Sequence, residues 1–439
     1  MATATLPNHP LLAGVEAMLD SRGEPGFLAE LRRRAAARFA ELGLPARSWE
    51  DWRFTDLSRL GEASWAVPER APQPPVFDDR PLGDSYRLVL ADGWLAPELS
   101  RLEGLPRGVF AGSLADAAAR RPELVEPHLA QHAALTDHPF LALSAAQFRD
   151  GVLLAIPAGT VLDRPVELRL VAAAHPQPTL VPPRLLIVAG RGSQATVVVG
   201  STGGSAHTLT CAVTELVLED GAVLDHYSVI DDDHAATHIA ALEVRQGRDS
   251  ALRSSVLALG GGLVRSDLAV TLNGAGADAT LNGLYLTSGD QHVDNHLLVS
   301  HRAPSCTSRQ LYKGILDGSS RAVFNGRIVV EKGAQKTDAR QSNRNLLLSA
   351  AALVQSNPQL EILADDVRCT HGSTIGRLDE DAVFYLRSRG VDRASAESLL
   401  TWAFAAEVVD GVRVPELRDR LRHAVAARLP SSDLVEEVL

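Results

Sequence analysis

The chain has 439 residues, 45% of them apolar, and its 43 Lys and Arg against 54 Asp and Glu give a formal net charge of −11. That acidic balance excludes nucleic acid as the main partner, because phosphate binding needs a basic face. Cys211, Cys306 and Cys369 are too few and too far apart for a disulfide framework, and Met1–Leu12 lacks the pattern of a secretory leader, so a cytoplasmic protein with reduced thiols is expected, with no membrane span.

Residues 11–60 read as helical. Leu28, Leu31, Ala35, Ala36, Phe39 and Leu42 recur at helical spacing, and Gly43 stops the pattern. Arg32, Arg33, Arg34 and Arg38 fall largely on another face, and the arginine run reads as a solvated helix surface. Pro68–Pro75 is a proline-rich connection. A strand at Tyr86–Leu90 and a helix over about Ser113–Ala119 follow.

From about Val152 the texture changes to short alternating apolar runs, among them Val152-Leu154-Ile156, Val166-Leu168-Leu170, Leu281–Leu286 and Ile328-Val330. Each obeys the period of two that marks strands. Gly192-Ser193, Gly221-Ala222, Ser250-Ala251 and Gly276-Ala277 punctuate them at intervals of about 26 to 29 residues. Stacked coils of a β-solenoid account for that repeat. The competing architecture is an antiparallel sandwich, for which Asn273-Gly274, Asn282-Gly283 and Asn325-Gly326 offer hairpin signals. The solenoid is favoured, with Gly260-Gly261-Gly262 as a turn or a point of close packing.

Helical patterning returns at Asp379. Asp379, Glu380 and Asp381 form an acidic first turn suited to the positive end of a helix dipole. Val383, Phe384 and Leu386 give an apolar face, and Gly390 ends the segment. A second helix starts near Asp392, and Pro415 opens a third running towards Leu429. The chain therefore divides into a helical and mixed region (1–150), a mainly β core (151–375) and a small helical domain (376–439).

On a strand, Cys369 and His371 are two apart and project from one face. Thiolate beside imidazole is half a site for iron or another soft metal, and two ligands are too few for a cluster, so a second subunit would have to supply the rest. From spacing alone such a pair is more often incidental than metal-binding, with the cysteine a small buried residue. Two histidine groups, His226, His234, His238 and His292, His296, His301, read as structural or exposed. No Walker A loop, His-Glu-X-X-His pair or Gly-X-Ser-X-Gly elbow occurs. A carbohydrate-active solenoid enzyme remains a second class, with Asp231-Asp232-Asp233 and Asp365-Asp366 as its carboxylates. A self-associating structural protein is a third.

Three longer stretches carry a resemblance. Pro358–Ile362 to Asp366, Cys369-Thr370-His371-Gly372 and Asp379–Gly390 resemble the C-terminal signature of the SufB/SufD family of iron–sulfur cluster assembly. Leu44–Arg47 with Glu50–Leu57 is similar to the entry segment of its SufD branch. Phe148–Val152 and Ile156–Thr160 resemble the start of its β region. Gly372 after His371, where the SufB branch has glutamate, and the lack of a cysteine over Gln341–Leu348 favour the SufD branch. The resemblance implies a right-handed parallel β-helix, a scaffold and not an enzyme, pairing with a SufB-like paralogue and docking a SufC-like ABC ATPase. It implies His371, with Cys369 beside it, at a transient cluster or iron site on the paralogue interface, with none held stably by this chain alone. Phe384, Tyr385, Leu386, Arg387, Arg389 and Gly390 fall in the ATPase-docking region. A homodimer in isolation is a further expectation. A reduced flavin has been associated with such complexes, but no dinucleotide fingerprint occurs here.

Overall fold

A computed structural model of the chain describes residues 9–15, 18, 23–70, 77, 78, 80–131 and 137–431. Among them the centre is two ten-stranded sheets that share successive strands alternately. In the first sheet Val223 pairs with Ala251 and Ala251 with Asp278, steps of 28 and 27 residues. In the second, Thr237 pairs with Leu263 and Leu263 with His292, steps of 26 and 29. All these pairings are parallel, so each coil lies in register on the one before it and the molecule is a parallel β-solenoid. The sandwich is excluded by that ladder.

Two of the three Asn-Gly pairs sit inside strands, Asp278–Thr287 and Arg321–Val330. Their glycines answer to packing and not to turns. A Cβ on Gly283 would lie 2.2 Å from the Tyr312 ring, and one on Gly314 would lie 2.1 Å from Tyr285. Since Gly283 pairs with Tyr312 and Tyr285 with Gly314, ring and glycine alternate on adjacent coils and fill the lumen once.

Inward residues of the early and middle coils are largely aliphatic. Val244, Val270, Val299 and Ile328 stack in one row of the second sheet, all 3% exposed or less. Burying such side chains is worth about 1.5–3 kcal/mol each, which makes the row the source of coil-to-coil cohesion.

Helices cover the outer faces. The N-terminal group is α1 (Gly26–Leu42), α2 (Leu114–Arg120), α3 (Pro122–Val125) and α4 (Pro139–Gln147). Among the described residues, the region read as helical over 11–60 holds α1, helical positions at Val15 and Met18, and 3-10 turns at Pro10–Leu12, Glu50–Trp52 and Ser58–Gly61. In α1 the stripe Leu28, Leu31, Ala35 and Phe39 is buried with Phe140 and Leu143 of α4 and with Leu209 and Cys211 of the second sheet. Gly43, at φ 67°, caps α1 by donating its N–H to the Phe39 carbonyl at 2.7 Å. Arg32 departs from the solvated-face reading. It is 1% exposed, donates to the Phe148 carbonyl at 2.6 Å, pairs with Glu24 at 3.0 Å and lies over the Phe148 ring. A guanidinium is tolerated there because a carboxylate, a carbonyl and an aromatic face replace its water. The proline-rich connection falls partly on residues 71–76, outside the described residues.

The C-terminal helices are α5 (Glu380–Ser388), α6 (Arg393–Val409) and α7 (Pro415–Ala426). Asp379 caps α5 by accepting from the Asp381 N–H at 2.9 Å, as the acidic first turn predicts. Trp402, Val408, Leu417 and Val425 of α6 and α7 pack on Tyr227, Leu257, Leu284 and Ile315, the outer face of the first sheet. No helix among the described residues is long and apolar enough to cross a membrane.

Candidate functional site

The solenoid ends on two strands, Leu353–Ile362 in the second sheet and Arg368–Gly376 in the first, and each is the edge of its sheet. Both are largely open to solvent, with Leu353 and Ile375 about half exposed. Cys369 stacks on Ala339 and His371 on Gln341. The two side chains therefore share the lumen-facing rows of the last strand, as their spacing predicts. Cys369 is half-buried against the small cluster of Ile328, Val330 and Ala339, and this burial pushes its thiol above the usual range. The Ala339 backbone N–H opposes that shift, and Asp338 adds to it. His371 is exposed. Among the described residues no group of three or more His, Cys, Asp or Glu is arranged to hold a metal ion. Register sets the two side chains on one face of the last strand, with Cys369 half-buried and His371 exposed.

The lumen beneath the pair changes character. The row that reads Val197, His226, Ser254 and Leu281 in earlier coils continues as Gln310, Gln341 and His371. Gln341 is 3% exposed and donates its amide Nε2–H to Gln310 Oε1 at 2.8 Å. In the neighbouring rows Asn343 Nδ2 donates to the Tyr285 hydroxyl, Asn345 Nδ2 to Asn343 Oδ1 at 2.7 Å, and Ser356 Oγ to Asn343 Oδ1 at 2.8 Å. Ser373 Oγ donates to Ser356 Oγ and brings this chain of hydrogen bonds to the surface. Beside it a cleft of about 390 Å³ is lined by Arg309, Arg340, Gln310, Gln341, Thr370 and His371. Sequence reading missed these amides. Their signal was the offset: Gln341 stands 30 residues before His371, one coil back in register.

The helix α5 buries one side chain, Val383. Phe384 is 70% and Tyr385 57% exposed, large aromatic surfaces for a helix with nothing laid over them among the described residues. Arg389 donates to the Tyr385 hydroxyl at 3.1 Å and lies over its ring. Arg387 is exposed and Leu386 half-buried, while Gly390 takes φ 91°, which admits glycine most readily. Arg393 pairs with Glu380 at 2.8 Å and ties α5 to α6.

The other candidates resolve into structure. His226 is buried with its Nδ1 3.0 Å from Ser254 Oγ, and burial lowers it to about 4. His301, facing Ser308 Oγ at 2.9 Å, is likewise lowered to about 4. His238 shares Asp232 with Ser201 at 2.7 Å each, and Asp231 pairs with Arg428. The carboxylates named for sugar chemistry are thus engaged, apart from exposed Asp365 and Asp366 and turn residue Asp233. Cys211 is fully buried and pushed up to about 12.

The segment Glu50–Asp56 seats on the second sheet. Trp52 stacks under the Arg265 guanidinium at 3.5 Å, and Thr55 Oγ1 donates to Asp294 Oδ2 at 2.5 Å. Arg265 in turn pairs with Asp267 and Asp294 at 2.8 and 2.7 Å. Arg265 and His138 hold the Asp267 carboxyl well below the usual range despite its burial.

Comparison with known proteins bears on both ends of the chain. Residues 171–404 match the family described as SUF system FeS cluster assembly, SufBD core domain, and residues 13–168 match the SufBD protein N-terminal region. An iron–sulfur cluster assembly SufBD family protein of Synechocystis is 33% identical over 430 residues, covering 94% of each chain. The iron–sulfur cluster assembly protein SufD of Escherichia coli is 30% identical over 392 residues, covering 88% of this chain and 90% of its own. The SufD of Bacillus subtilis is 26% identical over 409 residues, covering 91% and 93%. This chain belongs to the SufB/SufD family of SUF iron–sulfur cluster assembly proteins, on its SufD side.

Proposed function

We propose that this chain is a non-catalytic, cytoplasmic scaffold subunit that pairs the open end of its solenoid with a SufB-like paralogue. At that interface His371, with Cys369 beside it, contacts iron or the nascent cluster as cargo and holds neither stably alone. A SufC-like ABC ATPase docks on α5 through Phe384, Tyr385, Leu386, Arg387, Arg389 and Gly390. The observation that carries the reading is the last coil. There a thiol and an imidazole share one strand face, and the coil ends on edge strands that invite pairing. Two donors on one chain and an uncovered edge together call for a second chain.

The test is anaerobic co-purification of the chain with its host's SufB-like and SufC-like partners, with iron and acid-labile sulfide measured. A stable complex that carries both, and loses them in His371→Ala, supports the reading. Failure to associate with either partner overturns it. Dimers of the chain alone do not discriminate, because the same edge serves a second copy.

A further inference from the structure

We infer that Gln341 is a positioning residue for His371, its side-chain Oε1 accepting a ring N–H of the imidazole and so fixing which nitrogen is left to face a metal. The inference rests on the proposed role of His371 and deepens it.

Four observations carry it. His371 lies directly over Gln341 in a parallel pairing, where side chains of one row are about 4.8 Å apart along the sheet. Gln341 is itself anchored from below, its Nε2–H given to Gln310 Oε1 at 2.8 Å. With the nitrogen committed downward, Oε1 is left buried and without a partner. A buried carbonyl oxygen in that state has lost water without compensation, and a ring N–H from the next coil supplies it. Lastly, the room for Gln341 is built by the opposite sheet, since a Cβ on Gly326 would stand 2.3 Å from Nε2. Gln341 and His371 also line the same cleft.

The chemistry follows from how imidazole binds metals. A histidine ligand gives its other ring N–H to a carbonyl or carboxylate, which sets the tautomer and the ring plane. A glutamine held by a second glutamine supplies that acceptor without charge. On an exposed edge strand no other inward neighbour precedes His371 in its row, so the amide beneath it is the natural orienting group.

The experiment uses the full chain labelled with 15N at histidine, with long-range 1H–15N correlation reading the tautomer. The His371 resonances are those lost in His371→Ala. Wild type is expected to show one tautomer at His371. Gln341→Met, similar in volume and lacking the acceptor, is expected to give the mixture of an unrestrained imidazole and to weaken Co2+ binding at His371 about 10–100-fold. Gln341→Glu retains an acceptor for the ring N–H, and its second oxygen takes an N–H from the Gln310 amide turned over, so it is expected to restore the single tautomer. Gln310→Leu leaves Gln341 in place without its anchor and is expected to give a mixture as well, which guards against a single variant that folds poorly. The same tautomer pattern in wild type, Gln341→Met and Gln310→Leu overturns the inference. Co2+ binding unchanged in His371→Ala overturns the metal role instead, and the tautomer measurement remains readable without any metal.

Discussion

At its first coils the solenoid carries an antiparallel strand on each sheet, Trp94–Leu95 and Phe110–Ser113, whereas its last strands, Leu353–Ile362 and Arg368–Gly376, are bare edges. The interiors differ in the same sense. Early coils stack valine and leucine, and the last ones stack Gln310, Gln341, Asn343 and Asn345. A closed end gains from dry packing and needs no further partner. An open end made of dry side chains would aggregate, so amides hold the last coil together while keeping it wettable. Finish and filling thus separate a dry, aliphatic region from one with amide filling and open edge strands.

Substitutions break that contrast in order of size. Arg265→Met takes the guanidinium from Asp267 and Asp294 and leaves them only His138, His296 and Thr55, and breaking such a buried network should cost about 3–5 kcal/mol in denaturant unfolding. A loss below 1 kcal/mol would mean the carboxylates reach water. Leu252→Ala, in a covered coil and fully buried, should cost about 2–5 kcal/mol. Ile375→Ala, on the open edge, should cost under about 0.5 kcal/mol. Equal losses at the two positions would erase the distinction between the regions.

Acid sharpens it further. His226 and His301 are held near 4 by burial, below the ordinary 6.5, so the unfolded chain takes up their protons first as pH falls. The stability they contribute is complete above about pH 6.5 and is lost as pH falls from there through 4, about 3 kcal/mol each. His226→Gln should flatten the stability profile in that window by about that amount, and an unchanged profile would place the acid sensitivity elsewhere. The smallest effect belongs to α5. Phe384→Ser with Tyr385→Ser should change stability by under about 0.5 kcal/mol yet abolish capture of the ATPase, read by pull-down.

Much of this was legible in the sequence, and for physical reasons. The coil repeat showed because parallel stacking forces small residues to recur at corners, and Cys369 and His371 could be set on one face because a strand has a period of two. Arg32 was misread because a helical wheel ranks residues by polarity and cannot see that Phe148 and Glu24 arrive from elsewhere to take its charge. Gly283 and Gly326 resembled hairpin turns because the ring that requires the first lies one coil away and the amide that requires the second lies on the opposite sheet. The Gln341 support was invisible for the same reason. Its relation to His371 exists only after register is fixed.

Parallel stacking also dictates how the molecule yields. Each interior coil is held from both sides, and the last is held from one, with few buried apolar contacts of its own. Opening should therefore travel inward from Arg368–Gly376, and amide protons there should exchange with solvent long before those of Ala251–Ala258. The strand bearing His371 is held from one side, so the cargo site proposed there sits where a small applied force moves the backbone most.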